Sequence, residues 1–128
     1  MAKKSEYKRL VKHFSLLGIL KQYPNQLSLG QKQRIAIVRN LLIDSKIYLW
    51  DEVSSALDKD NTLKVIEEID YQIRKSKTFV IVTHDIFFLK ELFNRFYYNK
   101  KLGGIWKVEN KNLVDISETL KNEYPFLI

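Results

Sequence analysis

The 128-residue sequence contains no cysteine. Disulfides and thiolate metal sites are thereby excluded, and nothing in the composition argues for export. No apolar run approaches the roughly 20 residues that a bilayer-spanning helix needs. The first ten residues, MAKKSEYKRL, carry charge but no apolar segment behind it, so they do not read as a signal peptide. Glycine is scarce, occurring only at positions 18, 30, 103 and 104. None of the four frames a G-x-x-x-x-G-K-[ST] phosphate cradle, whose backbone N–H groups and lysine would wrap and neutralise phosphates. Lys4-Ser5, Lys75-Ser76 and Lys77-Thr78 all lack the glycine frame. There is no sustained heptad pattern, internal repeat or low-complexity tract.

What is present fits one modest globular domain. Hydrophobic residues make up 45% and aromatics 12%, enough to build a core. The net charge is +7, from 22 Lys+Arg against 15 Asp+Glu. Such an excess suits nucleic acid, an acidic membrane surface or an anionic ligand, but equally a solvated lysine-rich surface. The basic residues are spread out, densest at Lys3, Lys4, Lys8, Arg9 and Lys12, and no basic-aromatic pattern accompanies them. The bland reading therefore leads, and no specific nucleic-acid partner is expected.

Apolar spacing predicts frayed residues 1–6, then a helix over 7–20 with Gly18 near its end. A turn at Tyr23-Pro24-Asn25 follows. Ser28-Leu29-Gly30-Gln31 has the S-x-x-Q form of a capping box, opening a helix that ends near Asp44. A short buried strand is expected over 46–50, a loop over 53–58, and a helix from a cap at Asp58 or Asp60 to about Arg74. Leu63, Ile66, Ile69 and Ile73 would face inward from it. A second buried strand is expected over 78–82, rich in β-branched residues, then a helix over 86–93. Strands over 95–99 and 105–109, joined at Gly103-Gly104, and a final helix over 114–122 complete the reading. Alternation of strand and helix predicts an α/β fold with a mainly parallel sheet flanked by helices. In such sheets ligands meet the carboxyl ends of the strands. Asp51-Glu52 and His84 stand at those ends, so they are expected to share a site.

Three polar clusters carry chemistry. Adjacent carboxylates at Asp51 and Glu52 suit a division of labour, one holding a hydrated Mg²⁺ while the other orients and deprotonates water. Alone, they read better as a solvated turn. Ser28, Gly30 and Gln31 at a helix N-terminus present N–H groups, a hydroxyl and a positive dipole end to an anion. Alone, they read as an ordinary cap. His84 suits a hydrogen bond to a phosphate oxygen, or a half-exposed turn. Ser55-Ala56-Leu57-Asp58 alone is a helix cap. His13, the other histidine, receives no role.

The order of these clusters is far more specific than any one of them. Leu27-Ser28-Leu29-Gly30-Gln31 resembles the signature motif of the ATP-binding-cassette (ABC) ATPases. Residues 47–52 resemble their Walker B strand with its catalytic glutamate, 55–58 their D-loop, and His84 their switch histidine. The run Lys32-Gln33-Arg34-Ile35-Ala36-Ile37-Val38-Arg39 resembles the helix after the signature. The match covers roughly 10–110. The Tyr23-Pro24-Asn25-Gln26-Leu27 segment, the Gln31-Lys32-Gln33-Arg34 run and the Ser-Ala-Leu-Asp loop resemble importer cassettes for amino acids or similar small solutes. DNA-repair and chromosome-maintenance relatives, with their long coiled coils, fit worse.

The resemblance implies a fold, a chemistry and partners. The fold would be a partial P-loop NTPase, the C-terminal half of a cassette, lacking the P-loop strand and N-terminal lobe. Residues 1–128 would form a single partial domain, with about 7–45 a helical-subdomain remnant and about 46–128 the Walker B, D-loop and switch-histidine portion. ATP and Mg²⁺ would be the cofactors, shared with a partner chain. Asp51 would hold Mg²⁺ through water, Glu52 would polarise the attacking water, and His84 would contact the γ-phosphate. Asp58 would communicate across a dimer interface, and Ser28, Gly30 and Gln31 would cap the ATP of an opposite subunit. Partners would be another cassette subunit, in a homo- or heterodimer, and membrane permease subunits. The setting would be cytoplasmic, peripheral to the inner face of the cell membrane.

Three departures qualify the match. Leu29 and Val53 replace a usual glycine and proline, and Val53 is expected to loosen the loop behind it. The missing cradle is the largest. It implies a chain that does not hydrolyse ATP alone, with strand edges and apolar faces short of cover. The alternative is a non-catalytic module that docks on an intact cassette through its signature motif.

Overall fold

The computed structural model describes residues 4–96 and 104–117. The chain divides into two compact units, one through Asp85 and one from Ile86.

The first unit opens with α1, Lys4–His13. Residues 4–6 are thus helical, and the helix stops well short of 20. The stop is a Schellman motif at Ser15, whose φ is +54°. The Leu16 amide donates to the Val11 carbonyl and the Ser15 amide to the Lys12 carbonyl. Single 3₁₀ turns follow at Leu17–Ile19 and Pro24–Gln26. Gly18 lies inside the first, so it is not the terminator the sequence suggested. Helix α2, Leu29–Leu41, leads to strand β1, Ile47–Asp51. Helix α3, Lys59–Arg74, leads to strand β2, Thr78–Val82. Helix α3 ends on a second Schellman motif, with Ser76 at φ +63° and the Lys77 amide bonded to the Gln72 carbonyl.

Strands β1 and β2 pair in parallel, with Asp51 beside Val82. One face of this sheet is core. Tyr48 and Trp50 are buried, and Phe79 stacks on Tyr48 (ring centroids 5.0 Å) and meets Trp50 edge-on (4.8 Å). The Trp50 indole N–H donates to Asn40 Oδ1 at 2.8 Å, tying β1 to α2. The other face is exposed: Ile47, Leu49, Val80 and Val82 are 53–75% accessible. The strands expected to be buried are therefore bare along one face: β1 buries Tyr48 and Trp50, and β2 only half-buries Phe79 and Ile81.

Helix α3 buries Thr62, Val65, Ile66 and Ile69, while Leu63 turns outward, against expectation. Its buried Glu68 receives the Arg9 guanidinium in a bidentate pair (2.7 and 2.8 Å) and the Gln72 amide at 2.7 Å. Arg9 also bonds Glu6 and lies 3.9 Å from the Tyr71 ring centroid. Burial opposes the charge on Arg9, but the two carboxylates outweigh it and hold its pKa above the ordinary value. His13 bonds the Lys64 carbonyl through Nε2 at 2.8 Å, so its part is structural. Together these contacts clamp α1 onto α3.

The second unit contains helix α4, Ile86–Phe96, with Phe88, Phe93 and Phe96 buried. Arg95 is therefore helical, not the start of a strand, and 97–99 lie outside the described residues. Strands β3, Trp106–Glu109, and β4, Asn112–Asp115, form an antiparallel hairpin. Its turn is Asn110-Lys111, both at positive φ (49° and 65°). Val114 and Asp115 belong to β4, so the expected helix does not begin there. Of that expected helix, Ser117 is helical, while 118–122 and the Gly103 turn lie outside the described residues.

Candidate functional site

The parallel register brings the carboxyl ends of β1 and β2 side by side. Just past β1, the Glu52 amide donates to the Val82 carbonyl at 2.8 Å. Glu52 itself adopts φ +50°, a left-handed conformation that is costly for a side-chain-bearing residue. This twist aims its carboxylate at the end of β2. Glu52 Oε1 lies 2.6 Å from His84 Nδ1 and accepts the His84 amide at 3.1 Å. The imidazole is otherwise exposed. Its hydrogen bond to Glu52, and then that residue's negative charge, raise the His84 pKa above the usual value.

Glu52 Oε2 is buried and has no hydrogen-bond partner among the described residues. A buried carboxylate oxygen left open is a place for a donor from outside the chain, such as water. Asp51 is exposed and borders a cleft of about 140 Å³ with Gln33, Asn40 and Trp50. Among the described residues no group of three or more His, Asp or Glu forms a metal cage. One carboxylate completed by water and phosphate oxygens is, however, an ordinary Mg²⁺ arrangement. The donor set thus fits Mg²⁺ held with a phosphorylated ligand, and does not fit an all-protein metal site.

The turn after Glu52 is not loose. Val53 is buried (4% accessible), and its carbonyl accepts the Gln33 amide at 3.0 Å. Ser54, also buried, donates its hydroxyl to Asp85 Oδ2 at 2.7 Å. Asp58 turns to its own helix, accepting the Asn61 amide at 2.8 Å. Ser28 and Gln31 form the predicted capping box. Ser28 Oγ accepts the Gln31 amide at 3.2 Å, and Gln31 Oε1 accepts the Ser28 amide at 2.8 Å. Gly30 packs so closely on the same turn that a Cβ there would stand 2.9 Å from the Ala56 carbonyl oxygen.

The structure therefore joins Glu52 to His84, with Asp51 adjacent in chain. It joins Ser28 to Gln31 and brings Gly30 to the turn before Asp58. Sequence reasoning missed Gln33 and Ser54 as site residues. Gln33 stood in a recognised run, but its partner is 20 residues away and carries no local signal.

Comparison with known proteins identifies what the chain as a whole is similar to. The family described as ABC transporter matches residues 2–55. The methionine import ATP-binding protein MetN of Clostridium tetani is 35% identical over 91% of this chain and 40% of its own length. The arginine transport ATP-binding protein ArtM of Bacillus subtilis is 41% identical over 67% of this chain and 36% of its own. Among solved structures, a bacterial ABC transporter cassette seen as a dimer superposes with TM-score 0.60 and 33% identity, over 69% of this chain and 40% of that one. A second cassette, in its ADP conformation, gives TM-score 0.64 at 16% identity, which speaks to fold alone. The chain spans about two fifths of the length of the curated relatives it matches.

Proposed function

Because the chain belongs to the ABC transporter family, as part of its ATP-binding cassette, we propose that it serves ATP binding and hydrolysis in solute import. The observation that carries this reading is Glu52, one oxygen on His84 and the other buried with no partner among the described residues. Bound Mg²⁺–ATP would supply the electrophilic phosphoryl group. Glu52 would orient water through Oε2 and draw its proton, while Oε1 stays on His84. His84, anchored through Nδ1, keeps its other ring nitrogen for a phosphate oxygen. Asp51, exposed beside them, would hold Mg²⁺ through water. Ser28, Gly30 and Gln31 would face the nucleotide of a second cassette, and Asp58 would lie at that interface.

These 128 residues hold no glycine-rich phosphate cradle. Hydrolysis therefore requires one supplied from outside this stretch. The bare face of Ile47, Leu49, Val80 and Val82 is suited to receive such a segment. An amino-acid-type solute is favoured by the relatives, one a methionine import and one an arginine transport ATP-binding protein. Permease subunits would be the membrane partners, with the chain at the cytoplasmic face. No described helix is long and apolar enough to cross a membrane.

The test is ATPase activity of the purified chain, alone and with an intact cassette subunit. The expected result is none alone. Turnover by the lone chain, abolished by Glu52→Gln, would sink the need for an outside cradle. A second reading, docking on an intact cassette without catalysis, is favoured by the pre-formed exposed cap at Ser28 and Gln31. Co-purification lost on Ser28→Arg, without gained turnover, would select it.

A further inference from the structure

Glu52 holds a backbone conformation that an isolated turn would not choose. Its φ of +50° is left-handed, and such strain persists only where surrounding contacts over-determine it. Four contacts do so here. The Glu52 amide is bonded to the Val82 carbonyl, and Ser54 is bonded to Asp85. The other two come from α2. Gln33 Nε2 donates to the carbonyl of Val53, the next residue after Glu52. Gly30, one helical turn earlier, lies against the Ala56 carbonyl with no room for a Cβ. Gly30 and Gln33 are spaced i and i+3, so they share one face of the helix. That face is seated on both ends of the turn carrying Glu52.

We infer that Gln33 is a positioning residue for Glu52, and that Gly30 is required for a reason internal to the chain: both seat α2 on the 52–57 turn. The role given to Glu52 rests on the function proposed above; the mechanical link does not. Gln33 reaches neither His84 nor an open carboxylate oxygen. It acts by fixing the Val53 peptide, hence the direction in which the Glu52 side chain leaves the backbone. Gly30 acts from the far side, setting how near the helix comes. The bare backbone at Gly30 and the side chain of Gln33 thus couple the helix that begins at Ser28 to the carboxylate that holds His84.

Amide hydrogen exchange on the full chain tests this. Two amides report on the turn: Ser55, bonded to the Glu52 carbonyl, and His84, bonded to Glu52 Oε1. Gln33→Met keeps the length and removes the donor. The expected result is exchange at Ser55 and His84 faster by about fivefold, the worth of one ordinary hydrogen bond, with Tyr48, Trp50 and the α3 amides unchanged. Gln33→Lys, which keeps a donor, should restore most of the protection. Unchanged exchange at both reporters overturns the inference. So does equal acceleration throughout β1 and α3, which marks general destabilisation. If Gln33→Met does not fold, Gly30→Ala is read at the same amides, with Leu29→Ala, an exposed neighbour, as control. Faster turn exchange in the first alone supports the inference, and equal exchange in both overturns it. Nucleotide has no part in the readout, so a failed ATPase test leaves this result standing.

Discussion

One oxygen of Glu52 holds both the ring and the backbone of His84, at 2.6 Å from Nδ1 and 3.1 Å from the amide nitrogen. The two residues are 32 apart in sequence, and each sits just past the end of a parallel strand. The pairing sets the charge state of the histidine. His84 is held above its usual value near 6.5 by the Glu52 hydrogen bond and charge. Glu52→Gln should bring the His84 pKa back down, read by NMR titration of the imidazole. The pair's contribution to stability is complete below about 6.5 and is lost as pH rises through the folded-state pKa. Any stability gap between native chain and Glu52→Gln should therefore narrow as pH rises above 6.5. A gap that widens there would contradict the pairing.

The cap on α2 is the most local of the predictions. Ser28→Ala removes the acceptor for the Gln31 amide and should cost about 1 kcal/mol. Gln31→Ala removes the reciprocal bond and should cost less, since the Ser28 amide is exposed to water. Urea midpoints at unchanged m-value would show both. Replacement of Ser28 by Asp should be nearly neutral.

The clamp of α1 on α3 behaves differently when one half is taken away. Arg9→Met strands Glu68, which is 1% accessible, and should destabilise by about 3 kcal/mol. Arg9→Met with Glu68→Leu should recover most of that loss, because no buried charge remains. Glu6 adds an acid-sensitive element. Its pKa is lowered, first by the Arg9 hydrogen bond, so its contribution is present above about 4.5 and lost as pH falls through the folded value. Glu6→Gln should flatten the acid limb of the stability curve.

Neighbouring residues of β1 should respond oppositely. Leu49 is 75% accessible and Trp50 is 6%. Leu49→Lys should shift stability by less than about 0.5 kcal/mol and reduce self-association in sedimentation. Trp50→Ala should cost about 3 kcal/mol or more, losing the contacts with Phe79 and the bond to Asn40. Equal costs at both positions would mean that the strand faces are misassigned.

How much of this was written locally is clear from particular residues. The Ser28–Gln31 box closes over three residues, so its donors and acceptors were legible in order. The cap of α3 was narrowed to Asp58 or Asp60 for the same reason, and the structure uses Asp58. The α/β alternation foretold that Glu52 and His84 meet, because parallel strands end on one side. Helix ends were harder. Both Schellman stops use serine, at 15 and 76, where glycine is the usual sign.

The sequence by itself determined the caps, the strand-helix alternation and the family motifs, since each depends on residues within a turn or two. Only tertiary structure decided which strand face is bare, because alternation within a short apolar run cannot show what covers it. It alone decided the left-handed turn at Glu52 and the seating of Gln33 and Gly30 upon it. Those depend on groups 20 and 26 residues apart. No local pattern encodes such a meeting; packing the helix on the sheet creates it.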